Sequence, residues 1–154
     1  MRERPIGEID YRALASFRYE IRRFLNFSRN AAHSTGIEPQ QHQALLAIKG
    51  RPAGIETTVG VLAERLQILH HSAVELSHRL EVNGWIRRSR SRTDRREVLL
   101  LLSPKGERVL ERLSASHREE LRTAGPKLLE ALQSAIAPQK KRRADPVAKR
   151  RRNP

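Results

Sequence analysis

Residues 58–88 read TVGVLAERLQILHHSAVELSHRLEVNGWIRR, and the spacing within this stretch decides the fold. Val61, Leu62, Ala63 and Leu66 recur at helical intervals behind Thr57 or Thr58, either of which can cap the first turn. A second helix begins almost at once, at about His70, and runs to Asn83, where Gly84 offers a left-handed stop. Leu69, Ala73, Leu76 and Leu80 follow at helical steps and form its buried stripe. The opposite face carries His70, His71, Ser72, Glu75, His78 and Arg79. Two short helices joined by a tight turn, with a polar outer face on the second, make a helix-turn-helix pattern.

Working outward toward the carboxyl end, Trp85-Ile86-Arg87-Arg88 and Val98-Leu-Leu-Leu-Leu102 read as two strands around a basic loop, Ser89 to Arg95. A basic-tipped hairpin directly after a helix-turn-helix is a winged arrangement. Ser103 caps the next helix with Pro104 in its first turn, and Val109, Leu110, Leu113, His117 and Leu121 line one edge of it. Gly125-Pro126 then predicts a break, followed by a short final helix through Leu128, Leu129, Leu132 and Ile136.

Toward the amino end, Glu8 to about Ser34 holds neither Pro nor Gly, and its apolar residues fall three and four apart, the mark of a long amphipathic helix. Five of the six aromatic residues, Tyr11, Phe17, Tyr19, Phe24 and Phe27, lie in it, a stripe suited to neighbouring helices or a second subunit. Thr35-Gly36 ends this helix, and Pro39 opens another that runs to Gly50. The expected fold is mostly α with a small β-wing. It consists of a head over about 38–102, flanked by helices over about 8–34 and 104–137 whose apolar faces exceed what the head needs. Dimerisation through those helices is the economical reading. Residues 1–137 form one domain, and 138–154 are expected to be a disordered basic tail.

The chain has 154 residues, with 31 Lys or Arg against 17 Asp or Glu, a formal net charge of +14. Its distribution is uneven. The tail carries eight basic residues against Asp145, a net of +7, and Ile86 to Arg96 carries six Arg against Asp94, a net of +5. The body is nearly balanced, so two local basic elements point to contacts with a polyanion.

Other classes are disfavoured by what the chain lacks. With no Cys, disulfides, Cys-ligated zinc and thiol chemistry are excluded. No apolar run has the roughly 18 residues of a membrane span, and the opening residues lack a secretory layout, so a cytoplasmic location and no membrane partner are expected. There is no phosphate loop, nucleophile elbow or HExxH, so no enzymatic activity, metal or cofactor is expected. Aromatic residues lie apart from the basic segments, Trp85 excepted, which favours duplex over single-stranded nucleic acid.

Taken together, these pieces resemble the MarR family of bacterial transcriptional regulators over about residues 8–137. Thr58 to Leu66 is similar to that family's first helix of the motif, and Ser72 to Glu81 to its recognition helix. Gly84-Trp-Ile-Arg-Arg88, Asp94-Arg-Arg96 and Leu101-Leu-Ser-Pro-Lys-Gly106 are similar to its wing. Trp85 stands where an aliphatic residue is usual, and Ser-Pro where Leu-Thr is commoner. The resemblance implies a homodimer, commonly a ligand-responsive repressor, whose recognition helices enter successive major grooves of a pseudo-palindromic double-stranded DNA site.

On the recognition face, His70, His71 and Ser72 can bond base edges or phosphates, with His78 and Arg79 further along. Glu75 can accept from a cytosine amino group or steer an Arg, and the histidines can equally be ordinary exposed side chains. Thr57 and Thr58 sit at a helix N-terminus suited to a phosphate. In the wing set of Arg88, Arg90, Arg92, Asp94, Arg95 and Arg96, the family pattern puts Arg95 or Arg96 in a minor groove, with Asp94 pairing one of them. Arg90 and Arg92 suit phosphates. A small aromatic or anionic effector is compatible with the family, but no residue here names it. The alternative is a non-specific nucleic-acid-binding or nucleoid-type protein that uses wing and tail.

Overall fold

The first helix, α1 (Glu8–Ser34), starts where the Asp10 carboxylate accepts the Gly7 N–H at 2.8 Å. It ends in a reverse turn in which the N–H groups of Gly36 and Ile37 reach back to the carbonyls of His33 and Ala32. The computed structural model describes residues 7–91 and 97–137. After α1 come α2 (Pro39–Lys49), α3 (Val59–Leu66) and α4 (His70–Val82), then strands β1 (Ile86–Arg90) and β2 (Val98–Leu102), and α5 (Pro104–Ile136). The mostly helical fold with a two-stranded wing is as the sequence predicts.

The head is built on α2, α3 and α4, and its interior is filled by Leu45, Ile48, Leu62, Leu76, Leu80 and Leu100. The strands pair antiparallel, with Ile86 opposite Leu102 and Arg90 opposite Val98. The segment before α3 lies along β2, where the Leu100 N–H donates to the Thr57 carbonyl at 2.8 Å. The wing is thereby fastened to the helix-turn-helix at its base.

Gly84, with φ +71, turns the chain out of α4. The Trp85 carbonyl that follows accepts the Ser103 N–H at 3.1 Å, while the Ser103 hydroxyl donates to the Gly84 carbonyl at 2.6 Å. The Ser103 hydroxyl oxygen in turn accepts the Gly106 N–H at 3.0 Å and so caps α5. Lys49 holds the other side of this helix start through Glu107, at 2.8 Å. That hydrogen bond, then the Lys49 charge, lowers the Glu107 pKa from its ordinary value.

Two expectations need correction. The predicted break at Gly125-Pro126 is absent, because α5 continues through it to Ile136. Leu121, Ala124 and Leu128 around the proline lie against Phe24, Glu20 and Arg23 of α1. This antiparallel packing carries the helix across a residue that costs about 3 kcal/mol in an isolated helix. The second correction concerns Leu69, expected in the buried stripe of α4 but 68% exposed. It is the N-cap, with extended backbone, and so lies off the helical repeat. Ser77, fully buried, completes the stripe with Ala73, Leu76 and Leu80.

Candidate nucleic-acid interface

The buried stripe of α4 fixes what the helix shows outward. At 100° per residue, the direction opposite Ala73, Leu76, Ser77 and Leu80 is shared by His71, Glu75, His78 and Val82. Arg79 flanks that ridge on one side, exposed, beside Ser72, which is half-buried. His70 opens the helix and is exposed. All six residues expected on this face lie outside the core, with the ridge itself made by three of them.

Spacing alone does not single out Val74, which is 42% exposed on the same side of the helix. It adds an apolar side chain to an otherwise polar exposed surface. The signal is present in the sequence, since Val74 precedes His78 by one turn, but a valine does not stand out on a face recognised by its polar groups.

The two threonines before α3 part company. Thr58 caps the helix, its hydroxyl oxygen accepting the Val61 N–H at 3.3 Å. Thr57 is 3% exposed, because its carbonyl pairs with β2 and draws the side chain inward. The expectation that Thr57 stands near a phosphate is therefore withdrawn, while Thr58 keeps a position at the first turn of the helix.

On the wing, Arg90 is exposed at the end of β1. Arg88 is differently placed from the expectation of a free contact. Its Nε lies 3.0 Å from a Glu81 carboxylate oxygen, and its Nη2 donates to the Ser77 hydroxyl at 3.1 Å. The Ser77 hydroxyl donates onward to the Val74 carbonyl at 2.8 Å. Arg88 thus braces the wing against α4. Arg92, Asp94, Arg95 and Arg96 lie outside the described residues, as does the tail from residue 138. The Ser91 N–H donates to the Glu97 carbonyl at 3.0 Å, and the Ser91 hydroxyl donates to Glu56.

That brace ties α4, whose outward ridge holds His71 and His78, to a hairpin on which Arg87 and Arg90 are exposed. Among the described residues no group of three or more His, Asp or Glu could hold a metal ion, and no helix is long and apolar enough to cross a membrane.

Comparison with known proteins places this geometry. The family model described as the MarR family matches residues 35–97. No curated protein matches the chain in sequence. A MarR family protein from Bacillus stearothermophilus shares 25% identity over 77% of this chain and 81% of its own, with a TM-score of 0.66. AbsC, a MarR family transcriptional regulator from Streptomyces coelicolor, shares 17% identity over 88% and 95% of the two chains, with a TM-score of 0.69. A MepR variant from Staphylococcus aureus, solved bound to an oligodeoxyribonucleotide, shares 18% identity over 76% and 95%, with a TM-score of 0.58. Sequence match and shared architecture meet on the same segment: the winged helix-turn-helix head of this chain is similar to that of MarR family proteins.

Proposed function

We propose that the protein is a sequence-specific regulator of transcription that binds double-stranded DNA as a homodimer, a repressor released by a small effector. The observation that carries this reading is the outward ridge of α4 standing beside the basic wing. A helix of this width fits a major groove, and the hairpin beside it meets the neighbouring minor groove and phosphates. The oligonucleotide complex of the S. aureus MepR variant supports the same use of the fold. For the dimer, support comes from Ile9, Tyr11 and Leu14 on α1 and Leu129, Leu132 and Ile136 on α5, all exposed apolar residues at the arm end of one chain. Six such side chains on two adjacent helix ends suit a second copy and a pseudo-palindromic site.

The decisive experiment compares a duplex with its own single strand, across a salt series and over several sequences. A tight duplex complex with one preferred sequence is the expected result. Preference for the single strand overturns the reading, and equal affinity for every duplex favours the non-specific alternative. Removing residues 138–154 is expected to lower affinity about equally for all duplexes. It should also flatten the log–log salt slope by about 0.9 for each phosphate that the tail neutralises.

The brace gives a second expectation. Arg88→Ala should change stability by less than about 1 kcal/mol, because the pair is partly exposed. Duplex affinity should nevertheless fall several-fold, by about 1 kcal/mol, as the wing loses its fixed angle to α4. Fluorescence anisotropy and urea unfolding on the same variant separate the two. Glu81→Ala combined with Arg88→Ala should add little to either single change.

A further inference from the structure

The arm helices α1 and α5 meet the head at a group of polar side chains. His117 of α5 has Nδ1 2.6 Å from the Leu113 carbonyl oxygen and Nε2 2.9 Å from the Ser28 hydroxyl of α1. Phe24 and Phe27 of α1 turn against its ring, with ring centres 5.9 and 5.4 Å away. The His42 ring of α2 lies 4.8 Å away, centre to centre. His42 is 2% exposed and Ser28 6%. Among the described residues, the buried Nδ1 of His42 has no hydrogen-bond partner.

Such an atom is costly. Leaving a buried polar group unpaired loses about 1–3 kcal/mol, and apart from the polar Gln41 the other buried residues of the same helix, Ala44, Leu45 and Ile48, are apolar core. Packing alone gives no reason for an imidazole here.

The bonding sets what each ring can do. A carbonyl only accepts, so the close contact to Leu113 places a proton on His117 Nδ1. The Ser28 hydroxyl can donate to a bare Nε2 or accept from a protonated one, so both bonds of His117 survive either charge state. His42 has no such partner. Among the described residues no carboxylate pairs with either ring. Of the other charged groups on the packed turns, Arg29 and His33 on α1, Glu38 before α2 and Arg118 on α5 are exposed, and Glu120 is half-buried.

We propose that Ser28, His42 and His117 form a proton-responsive joint, which opens on acidification, turns the head relative to the arms and weakens DNA binding. The effect on binding rests on the proposed function, whereas the opening itself does not. The sign follows from His42, whose pKa is lowered from 6.5 to about 4 by burial and then by the His117 charge. The closed joint therefore binds fewer protons than an open one between those values. It is fully favoured above about pH 6.5 and loses ground as pH falls toward about 4, by up to about tenfold per pH unit.

The test uses the full chain at constant ionic strength, at about pH 7.5 and about pH 5.5. Two readouts are taken, urea stability and affinity for a duplex. In the wild type the unfolding constant should rise about tenfold more on acidification than in His42→Leu, and duplex affinity should fall by up to about tenfold. In His42→Leu this loss of affinity on acidification should be absent. His42→Gln keeps a polar head that cannot titrate in this range, so a matching flat stability response excludes mispacking by leucine as the cause. Equal pH responses in the wild type and both variants overturn the proposal. Failure to bind any duplex at either pH overturns the proposed function instead, and the stability comparison still decides whether the joint takes up the proton.

Discussion

Gly106→Ala is expected to lower stability by at least about 3 kcal/mol, at the upper end of what overpacking costs. A Cβ at this position would stand 2.1 Å from the Trp85 carbonyl oxygen and 3.1 Å from its carbon. Neither partner can retreat easily. That carbonyl is held by the Ser103 N–H, the Ser103 hydroxyl is fixed on the neighbouring Gly84 carbonyl, and the Gly106 N–H is itself spent on the Ser103 cap. Relief of the clash would break the junction between the end of α4 and the start of α5. Gly125→Ala in the same helix is the control, since nothing lies within 4 Å of the added carbon there. It should stabilise by about 0.5–1 kcal/mol, the ordinary gain from alanine in a helix. Urea midpoints of the two variants should therefore move in opposite directions. A Gly106→Ala protein with the wild-type midpoint would show that the backbone crossing is looser than described.

The largest functional effect is expected from Arg95→Ala with Arg96→Ala. In the proposed regulator, an arginine from this pair enters a narrow minor groove, where the negative potential is deepest. Removing one such interaction costs about 1–3 kcal/mol, so duplex affinity should fall by about fivefold to more than a hundredfold. Both residues lie outside the described part of the chain, and the expectation rests on the resemblance of this segment to the MarR family pattern. Stability should be unchanged, because the core at the wing base is supplied by Ile86, Leu99 and Leu100. Anisotropy on a preferred and a scrambled duplex separates loss of shape reading from loss of charge. An unchanged affinity for the preferred duplex would remove these residues from the interface.

Local periodicity made most of the fold legible. The four helices before the wing begin and end close to where caps and glycines mark them, since capping is a short-range matter of hydroxyls and left-handed turns. Pro126 misled because its penalty is local whereas the packing of α5 on α1 that offsets it joins residues a hundred positions apart. Leu69 misled for the opposite reason, being one residue outside the helix whose spacing it fits. The outer face of α4 could be read because burial of Ala73, Leu76 and Leu80 dictates it. The brace at Arg88 could not, because pairing with Glu81 and Ser77 depends on how β1 folds back over α4. His42 gave no signal at all, since a histidine among Gln41, Ala44 and Leu45 reads as a polar residue on an ordinary helix until α5 brings His117 against it.

The uninterrupted course of α5 has a mechanical consequence. A helix of 33 residues is roughly 50 Å long, and this one is pinned at one end beneath the wing and at the other beside the first turns of α1. No flexible linker separates the part that grips the head from the part that reaches the arm. A tilt at its Ser103 end is therefore carried undivided to Ile136. Tilting it by about 5° sweeps its far end through roughly 4 Å, more than the full length of a hydrogen bond. In the proposed dimer, where two such helices cross at their far ends, a rotation too small to disturb any core packing would still carry one reading head out of step with the other.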